Sequence, residues 1–347
     1  MATRVTLQDV ADALSLSRNT VSKAINNTGV LSDSTRDKVL KKAIEMGYKQ
    51  FSYANSISDI QNPPVNVERG EIALFTGGFL GNSHFATTML DKFQHEISTM
   101  GYSLTLHHVD KSNISDLSLP VSFRKENTRG IICIEMFDQG YCEMICALGL
   151  PVLMVDAPVS TYWSILDADI LLMENNENIF SMIRDAKKRG ITKIGFIGEA
   201  THCRSFFERY MAFRNAMFIN DLKIDPAFCL TEIHPHDPSY KEYLFQAMSK
   251  LKKMPELFIC ANDFVAIDVL EGFKRLGIKC PEDVKLFGFD DSPESKVMTP
   301  SLSTCHIHSQ AMGYSAANIL LSRIKQPDLN YRITYTETDI ILRESTK

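Results

Sequence analysis

The sequence predicts an α/β protein that begins with a small three-helix domain and continues as a larger domain of two lobes built on parallel sheets. Three observations lead to this prediction. The chain has 347 residues, too many for one ordinary core. Its first fifty residues repeat apolar side chains at helical spacing. From Glu71 onward, short apolar runs alternate with segments of helix length, which is typical of an α/β domain.

The first predicted helix follows Thr6. Asp9 stands three residues later, an arrangement typical of a capping box at a helix start. Apolar residues then recur with the spacing of one helix face. That face comprises Leu7, Val10, Ala11 and Leu14. The run Ser15-Leu16-Ser17 breaks the pattern and predicts the end of this helix.

Two more helices are predicted before residue 50. Ser17 can cap the second, and Ser32 or Ser34 can start the third, which Gly47 closes. Between them the residues Asn-Asn-Thr-Gly at 26–29 tolerate the positive φ of a turn. The apolar residues of the two helices are Val21, Ala24, Ile25, Val39, Leu40, Ala43 and Ile44. Three short helices, the first two joined by a very tight turn, predict a helix-turn-helix.

In a helix-turn-helix the second helix enters the major groove of double-stranded DNA, and its N-terminal residues reach base edges. Here those residues are Arg18 and Asn19, with Lys23 one turn later. Arginine suits guanine and asparagine suits adenine, so these three are the predicted base readers. The residues better placed for phosphates are Thr6, Thr20, Ser22 and Asn26. On pattern alone, the alternative is an unrelated three-helix bundle with polar residues on its exposed face.

The charge distribution is compatible with a DNA-binding head. The first fifty residues hold eight Lys and Arg against five Asp and Glu, a net charge of +3. Because the whole chain carries −5, the remainder carries −8. Neutralisation of phosphates supplies most non-specific DNA affinity, so a basic head on an acidic body fits this function. Alone, so small a charge is a weak signal.

Six apolar runs after residue 70 are predicted strands. They are Ile72–Phe75, Ile131–Ile134, Val152–Val155, Ile194–Ile197, Leu257–Cys260 and Val284–Phe289. Because the runs lack polar alternation and are separated by helix-length segments, we expect parallel strands covered on both faces. Ligands bind such sheets beyond the carboxyl ends of the strands. Residues close behind the runs are therefore the candidate ligand-binding residues.

The residues that the chemistry favours at these positions are Phe85, Asp156, Arg209, Asn262 and Asp290. Carboxylate, amide and guanidinium groups form forked hydrogen bonds with adjacent hydroxyls, and an aromatic face packs against C–H groups. The set therefore predicts a cleft for a polyhydroxylated small molecule. The alternative for an isolated aspartate, such as Asp263 or Asp291, is a helix cap.

No pattern of enzyme chemistry stands out. The glycine-rich residues 77–81 match neither G-x-G-x-x-G nor the P-loop pattern. The histidine pairs lack acid or cysteine partners at ligand spacing, and the eight cysteines are scattered. No nucleophile elbow or Ser/His/Asp arrangement is recognisable. We therefore expect no metal, no cofactor and no enzymatic activity.

The run VTLQDVADALSLSRNTVSKAINNTGVLSDSTRDKVLKKAIEMGY resembles the DNA-binding head of the lactose/galactose repressor (LacI/GalR) family. The resemblance implies that Arg18, Asn19 and Lys23 face the bases. It continues through TRGIIC, GLPVLMVDAP, KKRGITKIGFIG, SFFERYMAF and ICANDFVAIDVLEGFKRLGIKCPEDVKLFGFDD. It thereby implies the fold of periplasmic sugar-binding proteins, two lobes that close on a ligand. The effector cleft would use the five residues named above, with Ser205 as a further candidate.

The segment after Tyr48 departs from the family. The family has a proline, an asparagine and a short helix whose leucine wedges into the minor groove. At these positions the chain has Gln50, Phe51 and Ile57. An isoleucine can still unstack a base step, but the loss of proline removes a preset φ. We therefore predict a hinge that folds only on DNA or is helical only in part, with Ile57 as its wedge.

Departures in the larger domain concern the ligand. Glu174-Asn175 replaces the usual Asp-Asn, Ile191 replaces a histidine and Ala212 replaces a glycine. His234 stands where relatives often place an aromatic residue that stacks on the ligand. These changes leave the expected fold intact and leave the identity of the ligand open.

Together the patterns predict a helix-turn-helix domain at 1–48, a hinge and linker at 49–69, and an effector-binding and dimerisation domain of two interwoven lobes at 70–347. The predicted function is a transcriptional repressor controlled by a sugar or sugar derivative. It would act as a homodimer on a pseudo-palindromic operator. Ligand would release the DNA or strengthen binding, depending on which state it prefers.

No secretory signal or membrane segment is recognisable, so we expect a cytoplasmic protein without membrane contact. Two other classes of function compete with the regulator. A pure solute-binding protein is disfavoured by the missing signal and by the attached head. A nucleotide-using α/β enzyme is disfavoured by the missing phosphate loop.

Overall fold

The computed structural model describes residues 5–25, 33–46, 70–78, 85–159, 165–234 and 238–347. The chain divides into two compact units, Met1–Val67 and Glu68–Lys347. Two predicted DNA-contacting residues, Asn26 and Ile57, lie outside the described residues, as does the predicted hinge.

Three helices form the first unit: α1 (Leu7–Leu14), α2 (Arg18–Ile25) and α3 (Asp33–Glu45). The predicted capping box is present, because the Thr6 hydroxyl accepts the Asp9 N–H and the Asp9 carboxylate accepts the Thr6 N–H at 2.7 Å. Ser15 ends α1 with a φ of 55°. The Ser17 hydroxyl then accepts the Thr20 N–H at 3.0 Å at the start of α2. The very tight turn between the first two helices is confirmed.

A small apolar core holds these helices together. Its buried members are Val10, Ala11, Val21, Ala24, Val39 and Ala43. Every helix contributes two of them, at the helical spacing that the sequence shows. Because α2 buries only this narrow face, its remaining surface stays in contact with solvent.

The second unit has strands and helices in alternation. Its strands are β1 (Glu71–Thr76), β2 (Ser103–His108), β3 (Thr128–Ile134), β4 (Val152–Val155), β5 (Asp169–Met173), β6 (Ile194–Ile197), β7 (Cys229–Leu230), β8 (Leu257–Cys260), β9 (Lys285–Phe287), β10 (Thr304–Ile307), β11 (Ile333–Thr336) and β12 (Thr338–Ile341). Its helices are α4 (Ala86–Thr99), α5 (Lys111–Asp116), α6 (Gln139–Cys146), α7 (Glu177–Lys188), α8 (Arg204–Ile219), α9 (Tyr240–Ser249), α10 (Asp263–Leu276), α11 (Pro293–Val297) and α12 (Ser309–Lys325). None of these described helices is long and apolar enough to cross a membrane.

Two parallel sheets define two lobes. The first lobe has the strand order β11-β5-β4-β3-β1-β2, and the second has the order β7-β6-β8-β9. Every pairing within the two sheets is parallel. The six apolar runs named from the sequence coincide with β1, β3, β4, β6, β8 and β9, so the predicted parallel α/β architecture is confirmed.

The chain passes between the lobes three times: between β5 and α7, between β10 and α12, and between β11 and β12. β10 and β12 pair antiparallel, with Cys305 opposite Ile340. Neither lobe is therefore one continuous segment, and the predicted interwoven arrangement is present. This topology brings strand ends from distant parts of the sequence to one place.

Helix α12 is locked onto the first lobe by a buried charge cluster. Arg323 donates to both oxygens of Asp169, at 2.9 and 3.1 Å, and the Arg332 N–H donates to the same carboxylate at 2.8 Å. Burial alone would raise the pKa of Asp169, but these hydrogen bonds lower it below its usual value. Gly313 allows close packing of α12 on α4, because a Cβ there would lie 2.3 Å from the Met89 carbonyl oxygen.

Candidate functional site

Helix α2 presents the three predicted base readers to solvent. Arg18 and Asn19 occupy its first turn and Lys23 follows one turn later, and all three are exposed. On the same helix Val21 and Ala24 are fully buried. The polar residues therefore lie away from the packed side, where donors for base edges are useful.

The predicted phosphate contacts lie partly at helix starts. Thr6 precedes α1, and its Oγ1 lies 2.7 Å from the Asp9 carboxylate. Thr20 lies in the first turn of α2, with its Oγ1 2.8 Å from the hydroxyl oxygen of Ser17. Ser22 is half-buried on α2. Backbone N–H groups and the helix dipole favour anions at such helix starts, so the placement suits a phosphate backbone.

The second unit holds a cavity of about 200 Å³ at the carboxyl ends of its strands. All six residues predicted from the sequence line it. They are Phe85, Asp156, Ser205, Arg209, Asn262 and Asp290. The first two come from the first lobe and the other four from the second, so the topology brings residues of both lobes to one cavity.

Arg209 on α8 is the charged centre of this cavity. Its Nε donates to the Asn175 side-chain oxygen at 2.9 Å and its Nη1 donates to the Ala261 carbonyl at 2.7 Å. The guanidinium carbon lies 3.5 Å from the centre of the Phe289 ring, and Nη1 lies 3.7 Å from the Asp290 carboxylate. With 3% of its side chain exposed, Arg209 is held in one place by neighbours on three sides.

Asp156 and Asp290 line the cavity in unusual backbone conformations. Their φ values are 57° and 120°, in the region that residues other than glycine seldom adopt. Asp156 also caps α8, because its Oδ1 accepts the N–H groups of Ala157 at 2.8 Å and Ser205 at 3.1 Å. Burial raises the pKa of both carboxyls, and the nearby Arg209 opposes the rise.

Asn262 and Asp263 have different roles although they are adjacent. Asn262 lines the cavity and caps α10, where its side chain accepts the Val265 N–H at 3.0 Å. Asp263 accepts the Ser292 N–H at 2.8 Å and the Thr304 hydroxyl at 2.6 Å, and burial raises its pKa to about 6. Asp263 therefore joins neighbouring segments through its carboxylate, which is not the helix cap that the alternative proposed.

Asp291 forms ion pairs instead of the helix cap that the alternative proposed. Asp291 pairs with Arg343, with Lys296 at 3.2 Å and with His306 at 2.9 Å, and it is not among the residues that line the cavity. It therefore ties the end of the chain to the second lobe.

Seven further lining residues were not predicted: Glu135, Phe137, Met173, His202, Cys203, Phe206 and Phe264. Glu135 and Phe137 directly follow β3, so the rule about strand ends could have identified them. The ring of His202 lies 5.1 Å from Phe137 and 5.2 Å from Phe206, and burial lowers its pKa. His202 and Phe206 also follow the run Ile194–Ile197, but neither is a carboxylate, amide or guanidinium group, so the chemistry used for the prediction did not select them.

His234, the suggested stacking position, is not among the lining residues. The imidazole ring of His234 contacts the Glu199 carboxylate, and the backbone N–H of His234 donates to the same carboxylate at 3.1 Å. The ring also lies 4.8 Å from Tyr240. This interaction places His234 in a cluster beside the cavity lining rather than in it.

All eight cysteines are free thiols, and burial raises the pKa of those in the core, such as Cys133 and Cys260. Within the described part of the chain, no group of three or more His, Cys, Asp or Glu is placed to hold a metal ion.

Comparison with known proteins identifies both units. The profile of the lacI family of bacterial regulatory proteins matches residues 6–50, and that of the periplasmic binding protein-like domain matches residues 183–346. The HTH-type transcriptional regulator GalR of Lacticaseibacillus casei is 28% identical over 98% of this chain and 99% of its own. The HTH-type transcriptional repressor PurR of Haemophilus influenzae is 24% identical over 99% of this chain and 98% of its own.

Solved structures agree with this fold. The transcriptional regulator CelR in its cellobiose complex has a TM-score of 0.68 at 19% identity, covering 99% of this chain and 100% of that one. The lac repressor dimer bound to operator and an anti-inducer has a TM-score of 0.64 at 18% identity, covering 99% of each chain. A lacI-type DNA-binding head followed by a periplasmic-binding-protein-like domain makes the chain a LacI-family transcriptional regulator, and not an enzyme.

Proposed function

We propose that this regulator is a homodimeric repressor that binds a pseudo-palindromic operator in the cytoplasm and is controlled by a carbohydrate in the interlobe cavity. The observation that carries the proposal is the convergence of six residues, predicted from sequence alone, on one cavity between two lobes. For its domains we propose the boundaries 1–48, 49–69 and 70–347.

The composition of the cavity supports a carbohydrate effector. Arg209, Asn262 and two carboxylates supply donors and acceptors, and Phe85 supplies an aromatic face. These groups suit adjacent hydroxyls and the C–H face of a sugar ring. Among related structures, CelR is solved with cellobiose and a LacI-family regulator from Enterococcus faecium with bound ribose.

The helix-turn-helix supports the proposal of a dimer that binds a palindromic operator. One helix-turn-helix covers one half-site, so a two-fold symmetric protein reads two half-sites in inverted orientation. We propose Arg18, Asn19 and Lys23 as base readers, Thr6, Thr20, Ser22 and Asn26 as phosphate contacts, and Ile57 as the minor-groove wedge. The related lac repressor is solved as a dimer on its operator.

Ligand would control DNA binding by changing the relation between the lobes. The three passages of chain between them allow the lobes to close on a ligand without unfolding either core. A ligand that binds one arrangement of the lobes better than the other increases the population of that arrangement. The coupling free energy between ligand and DNA binding in such systems is typically about 1–3 kcal/mol.

The proposal is tested with the full-length chain and an operator selected from randomised duplexes. Fluorescence anisotropy should give an affinity for the selected duplex about a thousandfold or more above that for random DNA, and both should weaken with salt. At least one sugar of a panel should raise the melting temperature of the protein, and the same sugar should change the affinity for the operator. Equal binding of all duplexes would contradict a sequence-specific regulator.

A further inference from the structure

Three carboxylates line the cavity and share a backbone feature. Glu135, Asp156 and Asp290 follow β3, β4 and β9, and their φ values are 54°, 57° and 120°. L-residues seldom adopt this left-handed region, and such strained conformations cluster at ligand-binding positions. The recurrence at three strand ends indicates that the backbone is arranged to hold these acids at the cavity.

Among the described residues that line the cavity, acidic side chains outnumber basic ones. Arg209 is the one Arg or Lys among the described lining residues. Its guanidinium already donates to Asn175 and Ala261 and lies against Phe289. The described part of the cavity lining is therefore rich in acidic groups.

Asp290 has no hydrogen-bond donor among the described residues. Its side chain is 11% exposed, and its nearest cation, Arg209 Nη1, lies at 3.7 Å, beyond hydrogen-bond distance. Within the described chain no donor reaches its carboxylate. A nearly buried acceptor without a donor is costly, so this carboxylate suits a ligand that brings one.

Aromatic rings complete the environment. Phe85, Phe137, Phe206 and Phe264 line the same cavity as the three acids. The face of an aromatic ring attracts cations, and combinations of rings and carboxylates recognise ammonium groups. The rings also suit the C–H face of a sugar, so one ligand can use both properties.

We infer that the effector is a polyol carrying a protonated amine, an amino sugar by chemical class, and that the cavity rejects phosphorylated and carboxylated sugars. This inference rests on the proposed function, because it specifies the ligand of the same cavity. An ammonium group supplies three donors and one positive charge, which brings the acid-rich cavity nearer to neutrality. A phosphate would instead face three carboxylates and one arginine that is already engaged.

The test is isothermal titration of the full-length protein with two series: glucose, glucosamine and glucose 6-phosphate, and the three corresponding galactose compounds. The pH is neutral, where the amines are still largely protonated and where the carboxyls of Asp156 and Asp290, whose pKa values burial raises, hold fewer protons than in acid. We expect the amine in one series to bind about tenfold or more tightly than its neutral parent, and the phosphate not to bind. A neutral sugar or a phosphate that binds as well as the amine overturns the inference but leaves the carbohydrate effector standing. Binding by no member of the panel counts against both.

Glu135→Gln removes the charge and keeps the size and shape of the side chain, although one acceptor oxygen becomes an NH2 donor. Asp156 is less suitable because it caps α8. We expect Glu135→Gln to lower the affinity for the amino sugar about tenfold and the affinity for its neutral parent sugar less than about threefold. The control Glu126→Gln changes an exposed glutamate of the same lobe that is not among the lining residues. It should change the affinity for neither sugar. Equal effects of Glu135→Gln on both ligands, or no effect on either, would overturn the role of charge.

Discussion

The head and the interlobe cavity use charged residues in opposite ways. In the head, Arg18, Asn19 and Lys23 lie within six positions of one another on one exposed helix. In the cavity, the lining residues run from Phe85 to Asp290, and Arg209 is almost completely buried. The charged side chains of the head stay solvated until DNA binds. The charged side chains of the cavity lose water already when the second unit folds.

This difference separates binding from stability. Removing an exposed residue that we propose to read bases should weaken DNA binding and leave the core intact. Removing a buried residue of the proposed ligand site should weaken ligand binding and also leave buried polar groups without their hydrogen-bond or charge partners. Variants in the two regions should therefore differ in whether stability and binding change together.

Arg209→Ala should have the largest effect on both properties. The Asp290 carboxylate would lose its nearby cation and the Asn175 oxygen would lose its donor. We expect the free energy of unfolding to fall by about 3 kcal/mol and carbohydrate binding to fall more than about a hundredfold, measured by urea unfolding and calorimetry.

The matched control for this variant is Arg184→Ala, since Arg184 is an exposed arginine on the neighbouring α7. It should change stability by less than about 0.5 kcal/mol. If Arg209→Ala cost no more than its control, the buried arginine would not organise the cavity.

Asp263 should make the stability of the second unit depend on pH in mildly acidic solution. Its pKa is raised to about 6, so the folded chain holds this proton more tightly than the unfolded chain. The resulting stability is present below about pH 4 and is lost as the pH rises through about 6, with an upper limit of about 3 kcal/mol.

Comparison with Asp263→Asn isolates this titration, because asparagine stays neutral at every pH. The melting temperature of the wild type minus that of the variant should fall between pH 4 and pH 7 and then level off. A difference that is constant with pH would show that Asp263 titrates as an ordinary aspartate.

Arg18→Ala should change binding without changing stability. Loss of a base contact costs about 1–3 kcal/mol, so affinity for the selected operator should fall about tenfold to a hundredfold. The melting temperature should stay the same, because Arg18 is exposed. Random duplex at the same salt serves as the internal control, and an equal loss on both DNAs would reassign Arg18 to the phosphate backbone.

Thr6→Ala should have the smallest effect and one confined to the head. It removes the side chain that accepts the Asp9 N–H, which costs about 1 kcal/mol of helix stability. Hydrogen exchange of α1 amides in the full-length chain should quicken about fivefold, while β3 and β4 amides stay unchanged. Thr6→Ser keeps the cap and should restore protection, and faster exchange in Thr6→Ser as well would contradict the capping role.

Local patterns predicted much of the fold. The capping box at Thr6, the break at Ser15 and the cap at Ser17 depend on neighbours within four positions, and all three are confirmed. Five of the six apolar runs mark central strands, because both faces of those strands are buried. The sixth run, Val284–Phe289, contains Lys285 and forms the edge strand β9. Strands such as β2, which is half-exposed, carry no such run.

The sequence by itself determined the three-helix head and the parallel α/β class, because periodicity is a local feature. Side-chain chemistry behind the predicted strands, together with the family resemblance, predicted the six residues that line one cavity. Only the tertiary structure decided which acids are structural and which line the cavity. Asn262 and Asp263 are neighbours in sequence, yet one lines the cavity and the other lies buried against Ser292 and Thr304. The tertiary structure alone also revealed His202 and Phe206 as lining residues. The physical reason is that burial, desolvation and hydrogen-bond partners depend on chain segments that meet only where the three crossovers bring the two lobes together.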